Sequence, residues 1–209
     1  MAVPPVYPIL DTASLASHTI HPVEAAEAFL EGGAQILQFR HKEFWSRQIF
    51  EMAKKIADLC RQTEAVFVVN DRADYAALAG AGLHVGQDDL TPEDARRVIG
   101  NSALLGFSTH NADQIRGAQN QPVDYVAFGP VFPTLSKLKP DPTAGMDGLR
   151  AARSLTTKPL VAIGGITRHN AAACWAAGAT SVAVIGDLIP VPCTKRALRD
   201  RMAEWQRLN

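Results

Sequence analysis

The residues able to do chemistry recur in short polar clusters, each set directly behind an apolar run. They are Gln38-Phe39-Arg40-His41-Lys42, Asn70-Asp71-Arg72, Gly86-Gln87-Asp88-Asp89, Ser108-Thr109-His110 and Gly129-Pro130-Val131-Phe132-Pro133-Thr134. Asp71 and Asp89 follow neighbouring runs, and two carboxylates with open water positions suit Mg²⁺ shared with substrate phosphates. Arg40 and Lys42 stand two apart, hence on one side of an extended segment. With Lys137 and Lys139 of a later loop they could neutralise a diphosphate. A second anion signal lies in Val161–Thr167, where a strand-like run ends in Gly164-Gly165, and in Ser181–Ile185 followed by Gly186-Asp187. Glycine lets backbone N–H groups approach an anion closely, and a following helix adds a positive end.

Each reading has a plainer counterpart. Asp71 can be the N-cap of the next helix, Asp89 a turn residue, Gly164-Gly165 a tight turn, and Arg40 with Lys42 a solvated edge. Asp74 and Asp88 read as solvent-facing. His84 lies inside a strand-like run and reads as a packing histidine. His110, beside Ser108, can enter a mouth formed by strand ends. No Ser/His/Asp order or Cys/His pairing marks a side-chain nucleophile.

Positioning these groups falls to eight apolar runs: Val6–Leu10, Gln35–Phe39, Val66–Val69, Leu83–Val85, Ala103–Phe107, Tyr125–Phe128, Pro159–Ile163 and Ser181–Ile185. Several are almost wholly apolar, as in parallel strands covered on both faces. Helical patterns alternate with them at Pro22–Leu30, Glu43–Gln62, Ala73–Ala79, Pro92–Val98 behind a Thr91 cap, Asn111–Ala118, Asp147–Ser154, His169–Ala177 and Lys195–Leu208. Strict alternation predicts a single (β/α)8 TIM barrel over residues 1–209, with all the polar clusters at one rim. A doubly wound open sheet is the alternative, but Asp11-Thr12-Ala13-Ser14 stands where a glycine-rich dinucleotide turn belongs. The irregular stretch Pro130–Gly145 is long enough to expect a functional loop.

Acids and bases balance, with 21 Lys+Arg against 21 Asp+Glu in 209 residues, so no basic excess argues for nucleic acid. No run is long enough to cross a bilayer, and Met1-Ala2-Val3-Pro4-Pro5 lacks the pattern of an export signal. Cys60, Cys174 and Cys193 lie far apart without metal-ligand spacing, which fits buried or incidental thiols of a cytoplasmic protein.

Taken together, Gln38-x-Arg40-x-Lys42, Val69-Asn70-Asp71-Arg72, His84 to Leu90, Gly106-x-Ser108-x-His110, Asp124 to Thr134, Ala162 to Ile166 and Gly178-Ala179 closely resemble the thiamine phosphate synthase family, in order and over most of the chain. The resemblance implies a Mg²⁺-dependent transferase of thiamine biosynthesis. It would couple hydroxymethylpyrimidine diphosphate to thiazole phosphate, releasing diphosphate. By resemblance, Gln38, Arg40, Lys42, Asn70, Ser108 and Lys137 contact the pyrimidine diphosphate, Arg40, Lys42, Ser108 and Lys137 being catalytic. Asp71 and Asp89 hold Mg²⁺. Thr134 and Ser136 reach the thiazole phosphate, with backbone contacts from Gly165, Ile185 and Gly186. Three positions depart from the family pattern: Gly186 replaces a common serine, Ser136 the usual threonine, and Leu135 an often polar residue. The expected partners are these small molecules, with neither nucleic acid nor membrane, and homo-oligomerisation stays open. Two alternatives remain. One is a thiazole tautomerase of the same superfamily using His110. The other is a non-catalytic barrel that binds thiamine precursors.

Overall fold

The computed structural model describes residues 3–134 and 142–208. Eight parallel strands among them close into one barrel in chain order: β1 (Val6–Asp11), β2 (Ile36–Arg40), β3 (Val66–Asn70), β4 (Gly82–Val85), β5 (Leu105–Thr109), β6 (Tyr125–Phe128), β7 (Leu160–Ile163) and β8 (Ser181–Val184). The helices between them are α1 (Thr12–Ala16), α2 (Pro22–Glu31), α3 (Arg47–Gln62), α4 (Ala73–Ala79), α5 (Pro92–Ile99), α6 (Ala112–Ala118), α7 (Gly145–Ser154) and α8 (Ala171–Ala176), with α9 (Lys195–Gln206) closing the order. This is the (β/α)8 barrel expected from the alternation, and the open-sheet alternative falls away.

Side-chain alternation divides the apolar residues into two cores. Tyr7, Ile9, Ile36, Val68, Tyr125, Ala127, Val161 and Ala183 pack inside the barrel. Their strand neighbours Val6, Leu10, Leu37, Phe39, Val69, Val126, Ala162 and Val182 pack outward beneath the helices. Apolar residues are therefore needed on both faces, which is why these strands read as nearly continuous apolar runs.

The element boundaries moved where local chemistry overrode the pattern. α3 begins at Arg47 rather than Glu43, because the Ser46 side chain accepts the Ile49 N–H (3.3 Å) as its cap. The Trp45 indole N–H donates to the His41 carbonyl (3.2 Å) and folds the preceding loop back. α5 starts as expected, with Thr91 Oγ1 accepting the Asp94 N–H and proline in the first turn. Two short pieces carry no readable period: α1, and a 3-10 turn over Gly186–Leu188. No helix among the described residues is long and apolar enough to cross a membrane.

Candidate active site

Parallel strands in one barrel present all their carboxyl ends at one rim, and there the polar clusters converge on a cavity of about 830 Å³. Gln38, Arg40, Lys42, Asn70, Asp71, Asp89, Ser108, Thr134, Gly165, Ile185 and Gly186 all line it. Ser136, Lys137 and Lys139 lie outside the described residues. Asp74 is exposed and paired with Arg72 at 2.5 Å, away from the cavity. Asp88 is exposed as expected but borders the cavity.

On the β2–β4 side the site is charged. Lys42 Nζ donates to Asp71 Oδ2 at 2.5 Å, and Arg40 Nη1 donates to Asp11 Oδ2. Asp71 holds a left-handed backbone (φ 66°), a conformation that aspartate tolerates better than most residues, and its N–H donates to the His84 carbonyl (2.8 Å). Burial pushes its carboxyl above the usual carboxylate range. Lys42 opposes that rise, and the nearby Asp89 carboxylate adds to it. Asp89 Oδ2 in turn accepts the Gly86 N–H at 2.7 Å. Two half-buried, mutually repelling carboxylates form an all-oxygen donor pair. Among the described residues no cluster of three or more His, Cys, Asp or Glu side chains surrounds them. Such a pair fits a hard divalent ion that completes its shell with water and substrate oxygens, and it does not fit a soft-metal cage. Beside it, Asn70 Nδ2 is buried with no hydrogen-bond partner among the described residues, on a residue that lines the same cavity. Buried donors left unpaired are costly, so this one is poised for an acceptor that the described residues do not supply.

The floor is polar but uncharged. Gln38 Nε2 donates to the Tyr7 hydroxyl (3.2 Å), and Tyr7 and Tyr125 share a hydrogen bond of 2.9 Å. Tyr125 bonds His84 Nδ1 (2.9 Å), and His84 Nε2 bonds Ser108 Oγ (2.8 Å). This chain crosses the barrel from β2 to β5. Burial pushes the Tyr7 phenol up to about 12 and the Tyr125 phenol well above its ordinary value, so both stay protonated. His84, read from sequence as a packing residue, is therefore a cavity residue as well. Tyr7 and Tyr125 were not legible as site residues at all, because each looks like one more apolar position in its strand. Gly106 was the one available signal. A Cβ there would lie 2.0 Å from Tyr125 Cζ, so only glycine leaves room for that ring.

Across the cavity the β7 and β8 ends are built of backbone. Gly165 (φ 63°) approaches so closely that a Cβ would meet the Pro133 carbonyl at 2.4 Å. Val131 and Phe132 N–H groups donate to the Ile163 and Gly164 carbonyls at 2.8 and 3.0 Å, strapping the loop after β6 to the end of β7. Asp187 borders this end, yet its Oδ2 is taken by Arg168 Nε and Trp205 Nε1, both at 3.0 Å. Its charge is thereby compensated beside a region suited to an anion. His110 Nδ1–H donates to the Gly129 carbonyl at 2.6 Å, with the ring at the cavity wall.

Comparison with known proteins agrees with this geometry. The family model described as thiamine monophosphate synthase matches residues 6–188. The thiamine-phosphate synthase of Koribacter versatilis is 50% identical over 168 residues, covering 80% of this chain and 79% of that protein. That of Chloroflexus aurantiacus is 43% identical over 180 residues, covering 85% and 82%. Among solved structures, the thiamine phosphate pyrophosphorylase of Pyrococcus furiosus superposes with a TM-score of 0.84 at 30% identity, covering 98% of this chain and 94% of that one. With a barrel of the same form, a cavity lined by the motif residues and sequence likeness over most of its length, the chain belongs to the thiamine monophosphate synthase family.

Proposed function

We propose that this chain, as one barrel domain over residues 1–209, is a Mg²⁺-dependent transferase that couples hydroxymethylpyrimidine diphosphate with thiazole phosphate. The products are thiamine phosphate and diphosphate. One observation carries the reading. A single cavity has two anion-receiving ends, a cation and carboxylate wall at β2–β4 and a glycine cradle at β7–β8, with an uncharged hydrogen-bonding floor between them. Two phosphorylated heterocycles facing each other would fill it.

In this assignment Gln38, Asn70 and Ser108 orient the pyrimidine diphosphate, Asn70 Nδ2 giving its unused N–H to a ligand oxygen. Arg40 and Lys42 stabilise negative charge as it gathers on the departing diphosphate, with Lys137 assigned to the same task by sequence resemblance. Mg²⁺ held by Asp71 and Asp89, when bound, supplies further positive charge to that leaving group. Lys42 leaves Asp71 for the diphosphate once the ligand arrives. Thr134 and Ser136, with the backbone of Gly165, Ile185 and Gly186, hold the thiazole phosphate. The thiazole nitrogen then faces the carbon that loses diphosphate, so catalysis is orientation plus anion stabilisation. The ring nitrogen is itself the nucleophile, and no activated side chain is required.

Incubation of the purified protein with both substrates and Mg²⁺ tests the reading. It should yield equal amounts of thiamine phosphate and diphosphate, and lose turnover when the metal is chelated. Isomerisation of the thiazole without coupling would assign the cavity to a tautomerase built around His110. Tight binding of both precursors with no product would leave a binding barrel.

A further inference from the structure

We infer that Asp11 is a positioning residue for Arg40, holding its guanidinium in the fork that receives the diphosphate. The inference rests on the proposed function. Asp11 and Arg40 are register partners at the ends of β1 and β2, so backbone pairing itself sets them side by side. Asp11 is 4% exposed and absent from the cavity wall, whereas Arg40 lines it. Asp11 therefore acts through Arg40.

Its two oxygens are divided between two tasks. Oδ1 accepts the Ser14 N–H (2.9 Å) and the Ser14 hydroxyl (2.7 Å), which caps α1 and locks the carboxylate plane. Oδ2 accepts Arg40 Nη1. A guanidinium carries five N–H donors in a rigid fork, so one contact to Asp11 leaves the others free to meet phosphate oxygens in a fixed orientation. An arginine already anchored loses less freedom when ligand arrives than one that must be ordered first. The carboxylate also compensates a cation that is only 15% exposed in its side chain.

A second tie comes from the same turn. Thr12 Oγ1 bonds His41 Nδ1 at 2.8 Å, and His41 Nε2 reaches the Phe44 carbonyl at 3.3 Å. The His41 ring is thus held away from the cavity, and the residues on either side of it, Arg40 and Lys42, both face inward. α1, which had no readable role in the sequence, fixes the cation wall.

Asp11→Asn isolates the ion pair, because asparagine still caps α1 as well as aspartate does. The variant should lose about tenfold in kcat/KM for the pyrimidine diphosphate, the scale expected for a mispositioned group, with KM for thiazole phosphate changed by less than about twofold. Titration with inorganic diphosphate and Mg²⁺ should show about tenfold weaker binding for the same reason. In an Arg40→Ala background, adding Asp11→Asn should change neither quantity further, since the group it orients is gone. Equal losses in both backgrounds would mean that Asp11 serves only the fold. Diphosphate binding as tight as in the unmodified protein, or tighter, would also overturn the inference. Should the unmodified protein fail to couple the two substrates, the proposed function falls, while the diphosphate titration still decides the role of Asp11.

Discussion

Gly106→Ala should strongly destabilise this protein by overpacking the barrel floor. The new Cβ would lie 2.0 Å from Tyr125 Cζ, 2.3 Å from its hydroxyl oxygen and 2.5 Å from Cε1. The ring cannot swing aside, because Tyr125 is fully buried between the Tyr7 edge and the His84 face. Either the ring or β5 must move. Overpacking of this kind costs about 1–3 kcal/mol, and losing one or both Tyr125 hydrogen bonds adds about 0.5–1.5 kcal/mol each. The sum, about 1.5–6 kcal/mol, lowers the thermal midpoint of a domain this size by roughly 3–24 °C. Equilibrium denaturation and calorimetry measure it directly. Replacing Tyr125 by leucine in the same chain removes the colliding atoms and should recover part of the loss, a non-additive pairing expected only for residues in contact. A Gly106→Ala protein within about 0.5 kcal/mol of the original, the usual range of a harmless substitution, would refute the packing argument.

Asp71→Asn should cut turnover by about 100-fold or more, the scale of removing a key electrostatic contact, yet leave the fold as stable or more stable at neutral pH. Asparagine keeps the left-handed backbone without the half-buried charge. The sign follows from linkage. Burial raises the folded carboxyl above its unfolded value, so the folded state binds more protons in that window. Stability there falls as pH rises from the ordinary carboxylate value through the folded one. Denaturation midpoints followed from acid to neutral pH should show that decline in the original and a flatter course in the variant; parallel curves would contradict the assignment. Gly186→Ser should fold normally, since a Cβ there meets open space within 4 Å and the backbone is not left-handed. By adding a hydroxyl at the glycine cradle it should lower KM for thiazole phosphate about threefold to tenfold, the value of one hydrogen bond. Steady-state kinetics with that substrate varied would expose an unchanged KM and place the phosphate elsewhere.

Much of this molecule was readable along the chain because barrel strands and their helices are encoded locally. Apolar runs covered on both faces, the Thr91-Pro92 start of α5 and the polar cluster behind each run are short-range patterns, and parallel topology then sends every cluster to one rim. The acids Asp71 and Asp89, the cations Arg40 and Lys42, and the amides Gln38 and Asn70 could be named from residue type and position for that reason.

What each side chain does there depended on neighbours far away in the chain. Tyr7 and Tyr125 meet across 118 positions, and nothing near either one distinguishes a floor tyrosine from a core tyrosine. Asp187, next to a glycine cradle, would read as hostile to phosphate until Arg168 and Trp205 are seen to occupy its carboxylate. Asp11 reads as the start of a turn, and only β1–β2 register makes it the anchor of Arg40. Hydrophobic periodicity carries information over a few residues and so determines the elements and the rim. Hydrogen bonds and charge compensation act over a few ångströms of space, and which groups come that close was decided only when the barrel closed.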